Sequence, residues 1–472
     1  MIYSKQFFQD QLAPIAVYAK LKTIFKDEIS YLFESAGQSE GNYSFICMGA
    51  RERVQYIDGK TIYSDAKGLK HISDESPFTF LKNYYKGIDT SIYKKASNEL
   101  KVGYVDGFIG YIGYDMVKVF EPKLHSKMDN LKDELNTPDL DLILPKIILV
   151  YSHKNHQLTL VSTLQEISDK FEMIECELKG SYEYIHMIKN IGSDKGSFAH
   201  TKEHFFKMVD DSKEMIRSGD VFQILMTNRF TREIKVDPFS FYRILRTKNP
   251  SPYMFLMEYE DFNIVGSSPE VMVRVTNGEL LLRPIAGTRK RGSTKQRDKE
   301  LEAELLADPK ELAEHLMLID LGRNDVSRVA KTGTVKVEDM MHIERFSHVM
   351  HIVSDVTATL ADDKDMFDLF MATFTAGTMT GAPKIRAMEL IAEYEGLKRG
   401  FYSGSVGYFG FDGNMDSAIT IRTAMVKEDR VILQAGAGVV ADSQNELEYL
   451  EVRNKLGALV ASLEDLDDTD ER

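Results

Sequence analysis

The C-terminal part of the chain places charged side chains next to a glycine-rich backbone. Ala435-Gly436-Ala437-Gly438 ends an apolar stretch, and a helical pattern follows it. On that predicted helix Glu451 and Lys455 lie three and seven residues after Glu448, so the three side chains share one face. Glycine amides beside two carboxylates and one ammonium indicate a site for a small anion held partly through a divalent metal.

A second acidic side chain, Glu314, lies on the apolar side of a predicted helix over residues 309–321. A carboxylate on such a face is costly to bury unless it is paired or bound to a metal. The pattern therefore suits either an ordinary ion pair with His315 or Arg323, or a metal site shared with Glu448. Because the ligands would be hard oxygens, the expected ion is Mg²⁺.

Three further segments place polar groups beside turns. Residues 375–384 put glycines and hydroxyls before a helix, which suits either an anion site or a tight structural turn. In residues 419–424 alternation places Arg422 opposite the isoleucines of a predicted strand, where a guanidinium needs an anionic partner. Residues 282–288 end a strand at Gly287, where backbone can contact a ligand.

The elements that carry these residues predict an α+β fold with antiparallel sheets packed against helices. The strands are not regularly separated by crossover helices, as a doubly wound parallel sheet would require. Apolar strand candidates cover residues 107–114, 142–150, 221–230, 262–275, 279–286, 403–411, 417–427 and 430–440. Helical patterns cover residues 202–217, 298–307, 309–321, 383–395 and 444–462.

The polar, glycine-bearing segment 191–200 predicts a boundary between an N-terminal region, residues 1–190, and a catalytic region, residues 200–463. An acidic tail, residues 464–472, is expected to follow. The 472 residues can bury a large core or two cores that share an interface.

The composition narrows the class of protein. A formal charge of −14 argues against nucleic acid or an anionic membrane as the main partner. The two cysteines, Cys47 and Cys176, have no metal-binding or redox spacing, and the first ten residues lack the apolar core of a signal peptide. We therefore expect a cytoplasmic protein.

Six motifs occur in the order that they have in the chorismate-utilising enzymes, and the chain resembles that family over almost its whole length. The motifs are residues 266–270, 284–288, 313–325, 377–384, 421–423 and 435–438. Within the family the chain looks most like the anthranilate synthase component I enzymes. The resemblance implies a complex α+β fold with antiparallel sheets in two interleaved subdomains.

Two positions distinguish the branches of this family. Relatives that add water to chorismate resemble one another in having a general-base lysine where this chain has Gln223, and ammonia needs no such base. Aminodeoxychorismate synthase relatives typically have a nucleophilic lysine in place of Ala286, and an alanine cannot attack carbon. Both positions favour direct amination by ammonia.

The resemblance also implies roles for individual residues. Glu270 would protonate the departing C4 hydroxyl, and His351 would act in the second step, which loses pyruvate. Glu314 and Glu448 would bind Mg²⁺, with Glu451 as a ligand or just behind the ligands. The remaining residues implied to bind substrate are Gly287, Thr288, Thr378, Tyr402, Arg422, Gly436, Gly438 and Lys455.

The N-terminal region carries a second resemblance, to the feedback element of the family. Residues 32–35, followed by 42–46, would face residues 249–254 and enclose free tryptophan. Glu34 would lie near the ammonium and Ser35 would hydrogen-bond, while Pro252, Tyr253 and Met254 would pack against the indole. Without the resemblance, these segments would read as a strand-edge turn and a proline-rich loop.

Neither cysteine lies in a glycine-flanked nucleophile turn, so the chain is not expected to release ammonia from glutamine itself. The resemblance implies a separate glutamine amidotransferase subunit, in a heterotetramer. Two alternatives stay open: aminodeoxychorismate synthase component I, and a non-catalytic tryptophan-binding regulator. Intact Glu270, Glu314, Glu448 and Arg422 argue against the regulator.

Overall fold

The computed structural model describes residues 1–35, 43–346 and 349–467, and strands dominate the first part of the chain. Its strands are β1 (Tyr3–Phe8), β2 (Ser30–Glu34), β3 (Tyr43–Ile57), β4 (Lys60–Ser64), β5 (Lys70–Ser73), β6 (Gly107–Ile112), β7 (Leu140–Ser152), β8 (Gln157–Ser162) and β9 (Ser197–Phe198). Its helices are α1 (Pro14–Ile24), α2 (Pro77–Lys86), α3 (Thr90–Leu100), α4 (Val117–Phe120), α5 (His125–Met128), α6 (Gln165–Ser168) and α7 (Phe171–Lys179).

Longer helices alternate with strands in the second part. The strands are β10 (Gln223–Arg232), β11 (Tyr253–Glu258), β12 (Asn263–Ser268), β13 (Val271–Thr276), β14 (Glu279–Leu282), β15 (Ile285–Lys290), β16 (Lys336–Arg345), β17 (Val349–Thr359), β18 (Gly381–Ala382), β19 (Ser405–Gly410), β20 (Met415–Ile419), β21 (Thr423–Lys427) and β22 (Arg430–Val439). The helices are α8 (Lys202–Arg217), α9 (Pro238–Lys248), α10 (Lys295–Ala307), α11 (Pro309–Ser327), α12 (Met366–Thr373), α13 (Lys384–Glu395) and α14 (Asn445–Asp467).

Antiparallel pairing joins the two parts of the chain into one system of sheets. β2 pairs with β3 on one side and with β11 on the other, and β6 pairs with β7 and β19. From β11 the ladder continues through β12, β21 and β22 to β10. From β19 it continues through β20, β13 and β14 to β17. Strands that are distant in sequence therefore become neighbours.

Two large hydrophobic cores fill the space between sheets and helices, and each takes side chains from both parts of the chain. One core is rich in aromatic rings, with Phe78 stacked on Phe370 at 5.4 Å between ring centroids. The other includes Tyr18, Leu149 and Leu459. Among the described residues, no helix combines the length and the apolar character needed to span a bilayer.

The predicted α+β class with antiparallel sheets is confirmed, but several predicted elements differ from the observed ones. The candidate strand 262–275 forms two strands, β12 and β13, and the candidate strand 279–286 is divided between β14 and β15. Helix α14 continues to Asp467, and Leu466 is fully buried, so the first residues of the predicted acidic tail are helical. The rest of that tail lies outside the described residues. The strand predicted over 417–427 is wrong as one element, because the chain turns at Arg422 between β20 and β21. The division of the chain near residues 191–200 stays a prediction.

Candidate active site

One cavity of about 610 Å³ collects the residues that the sequence predicts for catalysis, substrate binding and metal binding. Helices α11 and α14 and strands β10, β15, β17 and β22 supply most of its wall. The predicted residues that line it are Gln223, Glu270, Gly287, Thr288, Glu314, His351, Thr378, Tyr402, Arg422, Gly436, Gly438, Glu448, Glu451 and Lys455. The volume suits a small organic molecule.

Glu270 occupies the short connection between β12 and β13 and is only 8% exposed. The Thr378 hydroxyl donates a hydrogen bond of 3.0 Å to Glu270 Oε1. Burial raises the pKa of the Glu270 carboxyl to about 7, against the opposing effects of the Thr378 hydrogen bond and of the Arg422 and Lys455 charges. A carboxyl with this pKa holds a proton on a large fraction of molecules at neutral pH and can act as a general acid.

Arg422 presents a half-buried cation to the same part of the cavity. Its backbone is left-handed, with φ of 49°, and this turn replaces the predicted alternation, so that Ile421 and Arg422 both line the cavity. Burial lowers the pKa of the guanidinium, and among the described residues no side chain or carbonyl accepts a hydrogen bond from it. A desolvated guanidinium without an acceptor favours an anionic ligand.

His351 extends from β17 toward the turn at Gly287. Its Nδ1 lies 2.9 Å from the Gly287 carbonyl oxygen and 3.1 Å from the Thr288 hydroxyl. Because a carbonyl only accepts, the proton belongs on Nδ1, and Nε2 carries the lone pair. Burial lowers the pKa of His351 to about 4, so the ring is neutral at neutral pH and can accept a proton.

Glu314, Glu448 and Glu451 form what we call the acidic wall. Burial raises the pKa of the Glu314 and Glu448 carboxyls, and the nearby charge of Glu451 raises both further. The Gln223 amide lies 3.4 Å from Glu314, and Lys455 pairs with Glu451 at 2.7 Å. The alternative ion pair for Glu314 is absent from the described part of the chain, where His315 bonds to Ser354 and Arg323 to Asp320.

The acidic wall offers carboxylate oxygens, which are the ligands that Mg²⁺ prefers in proteins. No group of three or more Asp, Glu, His or Cys side chains in the described residues is arranged to hold a metal unaided. Mg²⁺ typically takes only one or two carboxylates from a protein and completes its shell with water and substrate oxygens. Glu314 and Glu448, whose carboxyl pKa values are raised by burial and by the nearby charge of Glu451, would gain from a neighbouring cation. The acidic wall therefore fits Mg²⁺ bound together with an anionic ligand.

Two glycines explain the close packing at the back of the cavity. A Cβ at Gly438 would lie 2.6 Å from the Gln223 amide nitrogen, so the glycine lets Gln223 cross β22. Gly381 has a φ of 145°, and a Cβ there would lie 2.1 Å from the Gln223 carbonyl oxygen. Gly381 is thus required by packing. This packing role favours the interpretation of segment 375–384 as a structural turn. Within that segment, Thr378 and Met379 line the cavity.

The cavity also contains polar residues that the sequence analysis did not assign to it: Asn249, Lys310, Glu311, Gln434 and Asn454. Asn454 follows Glu451 by three residues, so helical spacing could have placed it on the cavity face. Gln434 carried no such signal, because it precedes the glycines within an apolar strand.

The predicted inhibitor element lies where β2 pairs with β11, and Glu34 is the cross-strand partner of Met254. The Glu34 carboxylate accepts hydrogen bonds from the Tyr242 hydroxyl, at 2.7 Å, and from Arg246, at 2.9 Å. Ser35 ends the described segment, Pro252 is half-buried and Met254 is buried. Asn42 of the predicted element lies outside the described residues.

Tyr253 points to the opposite face of β11 from Met254, because successive side chains of a strand alternate. Its hydroxyl lies 2.9 Å from Asp416 Oδ1 and accepts a hydrogen bond from Arg274. Glu34 and Met254 therefore share one face, while Tyr253 faces the other. Inhibitor binding stays a prediction.

Comparison with known proteins agrees with this geometry. The sequence pattern of the family described as chorismate binding enzyme matches residues 28–461. Anthranilate synthase component 1 of Aquifex aeolicus is 40% identical over 98% of this chain and 94% of its own. The crystal structure of anthranilate synthase component I from Streptococcus pneumoniae superposes with a TM-score of 0.78 at 32% identity, covering 97% of this chain and 99% of that chain.

The menaquinone-specific isochorismate synthase of Escherichia coli also superposes, with a TM-score of 0.72 at 18% identity, over 98% of this chain and 94% of that chain. At that identity the likeness concerns the fold alone. Fold, cavity and family pattern together define a chorismate-binding enzyme. Within that class, the chain belongs to the anthranilate synthase component I family. The predicted family and enzyme class are confirmed.

Replacing Glu270 with glutamine is expected to stabilise the fold in alkaline solution. The raised pKa means that the stabilising effect of the protonated carboxyl is complete below pH 4.5 and is lost as the pH rises through about 7. The free energy of unfolding of the variant minus that of wild type should increase by roughly 3 kcal/mol when the pH is raised from about 4 to about 8, because wild type loses this stabilisation and the variant does not. Denaturant unfolding at both pH values measures this gain. A difference that does not change with pH would contradict the buried, protonated state of Glu270.

Proposed function

We propose that the chain is the aminating subunit of an anthranilate synthase, which adds ammonia to C2 of chorismate and then eliminates pyruvate to give anthranilate for tryptophan biosynthesis. The observation that carries the proposal is the single cavity that unites the protonatable Glu270 with Arg422, whose guanidinium has no hydrogen-bond acceptor among the described residues. Gln223 and Ala286 line the same cavity and supply neither a general base nor a nucleophile. This arrangement favours direct attack by ammonia on chorismate over the addition of water by a general-base lysine or attack by a nucleophilic lysine.

In the first step, ammonia forms a bond to C2 while the two ring double bonds shift and the C4–O bond breaks. Glu270 gives its proton to the departing hydroxyl, which leaves as water. The Arg422 guanidinium binds a substrate carboxylate, and Lys455 supplies a second cation, with its ammonium 2.9 Å from the Gly436 carbonyl oxygen. Substrate binding therefore supplies Arg422 with the anionic acceptor that it lacks among the described residues.

In the second step, His351 accepts the proton from C2 through Nε2. The electrons form a C2–C3 double bond, the C3–O bond breaks, and the released enolpyruvate takes up a proton to become pyruvate. The Gly287 carbonyl holds the ring of His351 in the tautomer that this step needs. The gain in aromatic stabilisation drives the elimination.

Mg²⁺ at the acidic wall would neutralise the ring carboxylate of chorismate and fix its orientation. Glu314 and Glu448 would bind the ion. Glu451 is shared with Lys455 and lies closer to the cavity mouth, with its side chain 45% exposed. The family name, component I, implies a second component, and we propose that this is a glutamine amidotransferase that delivers ammonia within a heterotetramer.

The purified chain is expected to produce anthranilate, followed by its fluorescence, from chorismate, Mg²⁺ and ammonium. With glutamine in place of ammonium it should be inactive until an amidotransferase subunit is added. Glu270→Gln should lower kcat by about 10²-fold to 10⁴-fold, because the leaving hydroxyl loses its acid.

Each other outcome of this assay has a defined meaning. Formation of aminodeoxychorismate would identify the para-aminobenzoate branch. Absence of any chorismate turnover would support the non-catalytic regulator. Equal use of glutamine and ammonium by the isolated chain would contradict the proposed partner.

Glu448→Gln is expected to weaken Mg²⁺ binding by roughly tenfold or more, because one charged ligand is lost. Calorimetric titration with Mg²⁺ and a non-reacting chorismate analogue measures this affinity. Because burial raises the pKa of Glu314 and Glu448, protons compete with the metal and the affinity of wild type should fall as the pH falls. Glu446→Gln is the matched control, since Glu446 lies on the same helix but pairs with Lys202. Equal effects of the two variants would exclude Glu448 as a ligand.

Tryptophan is proposed as the feedback inhibitor, and Glu34→Gln is expected to weaken its binding by roughly tenfold or more through loss of a charge-assisted hydrogen bond. Calorimetry with tryptophan measures the affinity. Glu258→Gln is the control, because Glu258 lies at the other end of the β2–β11 pair, opposite Ser30. Wild-type activity that does not respond to millimolar tryptophan would refute the regulatory proposal.

A further inference from the structure

Arg399 is a charged residue buried behind the cavity, and its side chain is 1% exposed. Its guanidinium makes a bidentate pair with Glu395, with Nε 2.9 Å from Oε2 and Nη2 2.6 Å from Oε1. It also lies over the ring of Tyr114, at 4.7 Å from the centroid. Neither Arg399 nor Glu395 lines the cavity. A buried ion pair is weak evidence for stability, so its partners suggest what else it does.

The remaining donors of Arg399 reach two separate segments of the cavity wall. Nη1 donates to the Met379 carbonyl at 2.8 Å, and Nη2 donates to the Leu225 carbonyl at 2.9 Å. Met379 directly follows Thr378, whose hydroxyl bonds to Glu270. The Leu225 N–H donates to the Thr380 carbonyl, so the two segments also contact each other at this point.

Glu395 extends the connection to the glycine-rich strand. Its Oε1 accepts hydrogen bonds from the backbone N–H and the hydroxyl of Thr227, both at 2.9 Å. Thr227 is the cross-strand partner of Gly436 in the β10–β22 pair. Tyr402, which lines the cavity, lies three residues after Arg399 in the same turn. One ion pair thus contacts or adjoins four segments of the cavity wall.

We propose that Arg399 is a positioning residue of the active site: by holding the Met379 and Leu225 carbonyls, its guanidinium places the Thr378 hydroxyl on Glu270. Only a guanidinium fork can serve Glu395 and both carbonyls at once, because a lysine ammonium presents its donors from a single atom. The inference rests on the proposed function, in which Glu270 is the general acid.

Arg399→Lys keeps the charge and removes the fork. It is expected to lower kcat with ammonium on the order of 10²-fold, because a displacement near 1 Å of a catalytic partner has this effect. The KM for chorismate should change by about threefold or less, since Arg399 does not itself line the cavity and lies behind its wall. Steady-state kinetics at saturating Mg²⁺ measures both.

Arg51→Lys is the matched control for lost stability. Arg51 donates from Nη2 to both carboxylate oxygens of the buried Asp106 and from Nη1 to the Pro145 carbonyl, and none of these residues lines the cavity. Both variants should lower the Tm, whereas only Arg399→Lys should lower kcat. If the two variants lose Tm equally and both keep kcat, Arg399 has a structural role and the proposal is overturned.

A double-mutant cycle tests whether Arg399 acts through Thr378. Thr378→Val removes the hydroxyl, and in that background Arg399→Lys should lose most of its effect on kcat. Fully additive effects would overturn the proposed route.

A crystal structure of Arg399→Lys separates this inference from the proposed function. In the intact chain Thr378 Oγ1 lies 3.0 Å from Glu270 Oε1, and this distance should increase in the variant. An unchanged distance overturns the positioning role even if wild type makes anthranilate. An increased distance supports that role whatever product wild type makes.

Discussion

The hydrogen bond from the Thr378 hydroxyl to the Glu270 carboxyl is the contact on which the proposed chemistry depends. Burial alone favours a neutral carboxyl, and the hydroxyl, together with the Arg422 and Lys455 charges, limits how far its pKa rises. The balance leaves the pKa near neutral pH, where an acid can hold a proton and still release it. The contact also orients the carboxyl, since only one of its oxygens receives this donor.

Burial and nearby charges also divide the cavity into a region with positive charge and a region with negative charge. Arg422 and Lys455 act on Glu270, whereas Glu451 acts on Glu314 and Glu448. In the part of the chain that the structure describes, one region of the cavity therefore holds the Arg422 guanidinium without a hydrogen-bond acceptor, and another holds carboxylates that Glu451 repels. A dianionic substrate together with a divalent cation complements both regions. The left-handed backbone at Arg422 is a strained conformation of the kind that collects at functional sites.

The sheet pairing explains how segments that are distant in sequence reach one cavity. β10 pairs with β22, where Gly438 lies opposite Leu225 and next to the side-chain amide of Gln223. β15 pairs with β17, which brings Thr288 beside His351. The same ladder continues through β12 to β11 and β2, where the predicted inhibitor element lies. Backbone pairing thus connects the cavity to the predicted inhibitor element.

The local sequence pattern predicts the features that depend only on residues close together in the chain, such as helix starts and helix faces. Asp308 and Pro309 begin α11 as their types require, and Glu448, Glu451 and Lys455 share one helical face because helical spacing dictates it. The order of motifs identified the family, the fold class and the residues that line the cavity. The tertiary structure determined the remaining features of the site, because burial, strand pairing and the proximity of charges depend on residues far apart in the chain. The turn at Arg422, the Gln223 partner of Glu314, the pKa of Glu270 and the carbonyls held by Arg399 all arise from such contacts, and a local pattern contains no information about them.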